Sequence, residues 1–556
     1  MNQVIKKKFI KKKIFDCFVY LIFLFFLILG LNIYKDYGIS VDEPFQRASG
    51  YYWYIWILEN FFNGSENINS LKNNFEKMEW AKALKEGAFI QYGSIFDTFL
   101  VYIENYFDLD EAKNIYQTKH LANFFIFYLS SIFFFFLIRN RFQNNIIPLI
   151  GYFFYISSPR IFGNSFYNCK DIIFMSLLVI AIYFAIKLLK KIKYKNIILF
   201  SLFLGLATSI RVMGVFYLLL FITFFLIQSY KNKVNLQKKI FSFLVFGTSY
   251  FFFTYIFWPY LWEDPINNFF DAFTYFKKYG WQGSVFYFGE YIKANNLPWH
   301  YPVVWIFISM PFIYIAFLLF GIFYITKKFF ENFISSDKPN FEENFWKSDE
   351  EKIDVFMLSS FLCPLFIVIL LNSSLYNGWR QLYFIYPFLI YLSTNGLSKI
   401  YFSMKKLKFL FVLLIFFSIF LNAHNIYKLH PFQNVYFNFI VEKNANKLFV
   451  IDYWGLANQR SLEKIIIDSN NKKIDIGTAS FTPFEYSRYM FDKEKVKNII
   501  FSGNANLNQD YIFTNYVFDS NPKYQRKFNI PKKYKKIFET KKGNIIINEV
   551  YRKTDY

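Results

Sequence analysis

Cysteine is scarce in this chain: three in 556 residues, Cys17, Cys169 and Cys363, scattered and two of them inside apolar runs. That excludes a disulfide framework and a CxxC metal motif. Histidine is nearly as scarce, with four in all and no pair at metal-ligand spacing. No Walker motif and no glycine-rich dinucleotide fingerprint occurs, so nothing in the sequence supports nucleotide chemistry. Internal repeats of the kind that mark many transporters are missing too. The first apolar run follows "MNQVIKKKFIKKK" but lacks a small-x-small cleavage site and exceeds a usual signal h-region, which predicts a retained signal-anchor.

What is abundant is apolar and aromatic: 55% of residues are hydrophobic and 24% are Phe, Trp or Tyr. Mean hydropathy is +0.21, too apolar for one soluble globule of this size. The formal charge of +23 does not indicate nucleic-acid binding, because the basic residues form short clusters between apolar runs.

A bilayer core needs roughly 20 apolar residues per helix. On that ruler about 11 spans are predicted, near 14–33, 118–138, 145–158, 172–189, 196–209, 212–229, 240–260, 301–326, 354–372, 382–398 and 408–424. Lys and Arg concentrate in "KKKFIKKK", "RNRFQNN", "KLLKKIKYK", "KNKVNLQKK", Lys327 to Lys352 and "KIYFSMKKLK", alternate loops that the positive-inside rule places in the cytoplasm with the N-terminus. The chain therefore reads as an α-helical polytopic protein of the cell (inner) membrane, residues 1–424. Its first outer loop is 34–117, and residues 425–556 form a small extracytoplasmic α/β domain. In that loop "YYWYIWILENFF" has the character of an interfacial segment. In the tail, "KLFVIDYWG", "LANQRSLEKIIIDSNN" and "KKIDIGTAS" suggest strand, helix and strand, and "KKIFETKKGNIIINEVYRK" a hairpin about "KKGN".

Candidate chemistry gathers on the predicted outer face. "GISVDEPFQRASGYYWYIWI" puts Asp42 and Glu43 beside Arg47 where the chain leaves the first span, stiffened by Pro44 and bracketed by Gly38 and Gly50. Paired carboxylates there suit acid/base work, although solvated charges at a helix end are the plainer interpretation. "SSPRIFGNSFYNCKDIIFM" brings Arg160, Asn168, Lys170 and Asp171. Arg211 in "LATSIRVMG" and Arg380 in "LNSSLYNGWRQLYFIYP" carry the planar donor fork that suits phosphate, and either would be costly facing lipid. His300 in "LPWHYPVVW" stands alone among aromatics.

Taken in order and with their sidedness, "GISVDEPFQRASGYYWY", "SPRIFGNSFYNCKDIIFM", "GLATSIRVMG", "LPWHYPVVW", "NGWRQLYFIYP", "HPFQNVYFN" and "DYWGLA" resemble the GT-C fold glycosyltransferases that use lipid-phosphate sugars. The similarity is to bacterial proteins like the dolichyl-phosphate-mannose protein mannosyltransferases of glycosyltransferase family 39, and more distantly to the aminoarabinose transferases of lipid A. It implies a helical bundle with its active site at the outer face. There a polyprenyl-phosphate-linked sugar would be the donor and a lipid, glycan or protein hydroxyl the acceptor, with no nucleic acid involved. It maps the acceptor-activating acid onto Asp42, with Glu43 beside it, and a second acidic position onto Asp171. It offers Lys170, Arg211 and Arg380 for the donor phosphate, with Arg47 and His300 as possible substrate contacts. Glu43 and Asp171 are open to orienting the acceptor, tuning Asp42 or holding a divalent cation, and no cofactor is certain. A transporter or flippase of a lipid-linked sugar, and a non-catalytic scaffold, are the competing expectations.

Overall fold

The computed structural model describes residues 2–62, 68–142, 144–231, 235–278, 281, 283–334, 345–470, 472–506, 508–517 and 530–554. The chain is mainly helical, with a small sheet domain at its C-terminal end. Among the described residues seven helices are long and apolar enough to cross a membrane: Lys12–Asp36, Ala112–Arg141, Asp171–Lys190, Leu236–Ile256, Phe312–Ile334, Asp349–Leu370 and Lys408–Leu429. An eighth crossing is added if the bent pair Ile146–Ile156 and Pro159–Tyr167 is one span. The protein is thus a multi-pass membrane protein.

The other apolar stretches anticipated from sequence are helical but short or interrupted. The run 145–158 ends at Ser157 and Ser158, and the chain bends by 61° before resuming at Pro159. Proline suits a first helical position because its missing N–H would be unbonded there anyway. The run 301–326 is two helices, Tyr301–Ser309 and Phe312–Ile334. Pro311 forces Met310 into an extended conformation (φ −104°, ψ 148°), which breaks the ladder. Tyr194–Ile210 and Gly214–Tyr230 are shorter apolar helices, and Tyr386–Ser403 follows a 3-10 turn at Arg380–Ile385.

Helix starts follow local chemistry. Ser348 caps Asp349–Leu370 by accepting the Glu351 N–H at 3.2 Å, and Asp349, Glu350 and Glu351 place negative charge on its first turn. Asn168 does the same for Asp171–Lys190, its Oδ1 accepting the Asp171 N–H at 3.0 Å. This helix and Tyr386–Ser403 are almost wholly buried and form the bundle's centre. Rings supply much of the packing, as in the stacked pairs Phe124–Phe166 (centroids 5.0 Å) and Phe134–Tyr155 (4.5 Å).

The tail sheet has strands β3 (Ile474–Thr478), β4 (Ile499–Asn504), β5 (Tyr511–Thr514), β6 (Tyr534–Lys542) and β7 (Ile545–Lys553) in the order β4-β3-β5-β7-β6. A separate hairpin, β1 (Ser284–Tyr287) and β2 (Glu290–Lys293), precedes it in the chain. Strands β4, β3 and β5 are parallel, β7 is antiparallel to both neighbours, and helix Asn458–Asp468 covers the sheet through Leu462 and Ile465. The β6–β7 hairpin turns at Gly543 (φ +59°), as "KKGN" suggested. By contrast "KLFVIDYWG" is not a strand. Phe449 bridges to Tyr287 and the chain then forms a turn about buried Asp452, whose carboxylate accepts the Gly455 and Ala457 N–H groups at 3.1 Å each. Those local bonds replace a sheet ladder.

Candidate functional site

The segment after the first span is clamped from two sides. Buried Tyr37 stacks on Phe166 (4.5 Å) and donates to Gln433 Oε1 at 3.1 Å. The Val41 N–H donates to the Trp454 carbonyl at 3.0 Å. At Gly38 a Cβ would lie 2.4 Å from the Leu456 carbonyl oxygen, so only glycine allows the tail loop so close. Asp42 then ends the clamp and Glu43–Phe61 begins, with Pro44 in its first turn.

Asp42 Oδ2 accepts from Arg380 Nη1 at 2.6 Å; its side chain is 34% exposed and that of Arg380 9%. The guanidinium lies against the rings of Trp454 (4.6 Å) and Tyr376 (5.0 Å). Burial disfavours the Arg380 charge, yet Asp42, Tyr376 and Asp171 hold its pKa well above the usual guanidinium value. Glu43 faces the other way, since neighbouring positions on a helix diverge by about 100°. It is fully buried, accepts the Ser40 N–H at 2.6 Å and lies 3.0 Å from His120 Nε2.

Asp171 is paired with Arg211 and also accepts from Asn168 Nδ2 at 3.1 Å. The two belong to opposite helix ends: Asp171 starts Asp171–Lys190 and Arg211 follows Tyr194–Ile210, each with the sign of charge that its end favours. Lys170 is half-buried with its ammonium 4.0 Å over the Tyr92 ring. Burial first, then Arg211, pull its pKa down to about 8, against the opposing pull of Asp97 and Asp171. Asp42, Asp171, Lys170, Arg211 and Arg380 therefore form one electrostatically coupled group at one end of the bundle.

Two residues named from sequence stand apart. Arg47 makes a bidentate bond to Glu104 (3.0 and 2.5 Å), to which Tyr51 also donates at 2.6 Å, tying Glu43–Phe61 to helix Ile95–Tyr106. His300 Nδ1 bonds the Tyr287 hydroxyl at 2.7 Å, at the β1 hairpin. Sequence reasoning did not single out Asp97, Lys119, His120, Glu104 or Asp452. Asp97 and Lys119 are a buried pair at 3.4 Å, with burial pushing the Asp97 pKa up and Lys119 opposing it. In the sequence each is one charge in an amphipathic stretch, and the charges that pair with them declare themselves only in three dimensions. Arg160 is buried, donating to the Tyr436 carbonyl at 2.8 Å between Trp305 (5.5 Å) and Phe437 (5.0 Å).

Among the described residues no group of three or more His, Cys, Asp or Glu side chains is placed to hold a metal ion. The half-buried carboxylate of Asp42 and the buried one of Asp171 each already have an arginine partner. No family model and no curated protein matches the chain.

Proposed function

We propose that the protein is a GT-C-like membrane glycosyltransferase that moves a sugar from a polyprenyl-phosphate carrier to an acceptor hydroxyl at the outer face of the cell membrane, with inversion. The observation that carries this reading is the Asp42–Arg380 pair coupled to Asp171, Arg211 and Lys170 where helices end. A prenyl chain stays in lipid while its phosphate-sugar sits at headgroup level, so a base and three cations at that height meet the reacting bond.

Asp42 takes the proton of the acceptor hydroxyl as its oxygen bonds to the anomeric carbon. The bond from that carbon to the phosphate oxygen breaks, and the leaving polyprenyl phosphate gains a negative charge. Arg380, Arg211 and Lys170 stabilise that charge, which is the transition-state interaction that accelerates the step. An incoming phosphate also competes for Arg380, loosening its hold on Asp42 as the donor arrives. Glu43, buried against Ser40 and His120, fixes the turn that aims Asp42.

The eleven-crossing bundle belongs to this proposal. The eight candidate spans are completed by Tyr194–Ile210, Gly214–Tyr230 and Tyr386–Ser403. Basic residues Arg139, Arg141, Lys187 and Lys190 sit at helix ends opposite the charged group, which supports a cytoplasmic location for those ends. A transporter of the same lipid would carry its charges at mid-membrane, and these stand at helix termini.

The test is transfer of radiolabelled polyprenyl-phosphate sugars by membranes containing the wild type or Asp42→Asn, with envelope glycans, lipids and proteins as acceptors. Transfer that falls by about a hundredfold or more in Asp42→Asn is the expected result, in the range for loss of a general base. Equal transfer removes Asp42 from the chemistry, and no release of polyprenyl phosphate from any donor removes the transferase.

A further inference from the structure

On the far side of helix Glu43–Phe61 from the Asp42–Arg380 pair lies a cleft of about 700 Å³, within the size range of small-ligand sites. Helices Ile68–Glu76 and Ile95–Tyr106 of the first loop wall it on one side and the tail turn Glu485–Met490 closes it on the other. These parts are held together across some four hundred residues of chain. Tyr486 donates to Glu79 Oε2 at 2.6 Å, and Tyr116 and Tyr489 lie with ring centroids 5.8 Å apart. The cleft is thus a built feature joining the two extramembrane parts.

We propose that this cleft binds a carbohydrate chain. Its use as the acceptor site rests on the transferase reading; the binding does not. The chemistry of the lining selects the ligand. Arg47 and Glu104 neutralise each other in the wall, and Lys77 and Lys493 are offset by Glu79, Asp108 and Asp110, so no excess of positive charge invites a phosphate or an acidic peptide. What the cleft offers instead is ring surface from the partly exposed Trp80 and Tyr489, beside planar acceptors and amides, Asn74, Asn105, Asp108 and Asp110.

A sugar ring needs both. Its hydroxyls pair with carboxylates and amides, and its C–H face, with partial positive charge, lies against an aromatic face of negative quadrupole. An extended peptide would look for an unpaired strand edge, and no β-strand contributes to the lining among the described residues. Pro44, two positions along the chain from Asp42, is among the lining residues, so the cleft and the Asp42 carboxylate are served by the same helix start.

The experiment uses the full chain in lipid nanodiscs and measures binding of soluble tri- to hexasaccharides of mannose, glucose and N-acetylglucosamine by saturation-transfer NMR and native mass spectrometry. A Ser/Thr-rich peptide and inorganic phosphate are run alongside. At least one oligosaccharide is expected to bind, about tenfold or more weaker in Tyr489→Ala and in Asp110→Ala. Asp110 is exposed, so its variant keeps the test valid even where Tyr489→Ala misfolds. Failure of every oligosaccharide, equal binding by Asp110→Ala, or binding of the peptide or phosphate alone overturns the proposal. Glycan binding that persists without sugar transfer from any donor leaves the cleft standing and removes only its acceptor role.

Discussion

Arg380 and Asp42 are 338 positions apart and meet at 2.6 Å, so each sets what the other can do. On the proposed transferase reading Arg380 is both clamp on the base and cradle for the phosphate, so its loss and the loss of the base are not independent. Arg380→Gln is expected to lower kcat/KM for the lipid donor by about a hundredfold, in the range for loss of one transition-state donor. Adding Asp42→Asn to it should cost far less than a further hundredfold, and losses that multiply would show that the pair is not a unit. Lys170 supplies a pH test. Its pKa of about 8 means that it is cationic below that pH and neutral above it, well before an ordinary lysine titrates. The donor KM should therefore rise above about pH 8, and Lys170→Arg, which does not titrate in this range, should flatten the rise. An unchanged KM up to pH 10 in the wild type would exclude Lys170 from phosphate binding. These residues were legible singly in the sequence, because a charge beside an apolar run is conspicuous. Their pairing was not, since nothing in the order of residues links Asp42 to Arg380 or Asp171 to Arg211. Glu43 was legible only as a neighbour of Asp42, and the turn of the helix sends it into the core.

Elements were easiest to read where hydrophobic runs were long and hardest where proline or glycine altered them. The 301–326 run looked continuous by hydropathy, yet Pro311 splits it, and "KLFVIDYWG" had the composition of a strand while Asp452 bent it into a turn. Close helix packing was likewise hidden in single glycines. At Gly396 a Cβ would sit 2.2 Å from the Phe317 carbonyl oxygen, and at Gly321 one would sit 2.1 Å from that of Leu392, so Phe312–Ile334 and Tyr386–Ser403 touch backbone to backbone. Gly396→Ala should cost about 1–3 kcal/mol through overpacking and lower the melting temperature in detergent. Gly247, on Leu236–Ile256, has nothing within 4 Å of its Cβ position. Gly247→Ala is therefore expected to leave the melting temperature unchanged or raise it slightly, through better helix propensity. Equal losses in the two variants would mean that glycine acts there through flexibility rather than close approach.

At the scale of the whole molecule, the contact between Val41 and Trp454 constrains topology. Val41 follows the first candidate span and Trp454 lies in the tail, so the tail meets the chain at the C-terminal end of that span. A first helix that crosses the membrane then requires an odd number of crossings, which seven and the proposed eleven both satisfy and eight does not. The positive-inside pattern leads to the same expectation from the sequence, because the charge bias of the loops survives errors in individual span limits. What the sequence did not carry was the meeting of first loop and tail, since Tyr486 and Glu79 become neighbours only through the fold. Topology can be checked by labelling in a variant with Cys17 and Cys363 changed to serine and buried Cys169 kept. Single cysteines at Lys35, Lys473 and Lys405 are all at exposed positions. A membrane-impermeant maleimide applied to intact cells should modify Lys35→Cys and Lys473→Cys, and reach Lys405→Cys only after permeabilisation. Lys405 lies past the C-terminal end of Tyr386–Ser403, whose other end adjoins Arg380, so protection there and reactivity at Lys473 belong to the same orientation. Reactivity of Lys405→Cys in intact cells would invert the molecule, placing Asp42 and Arg380 in the cytoplasm, and the donor would then have to be sought on the inner leaflet.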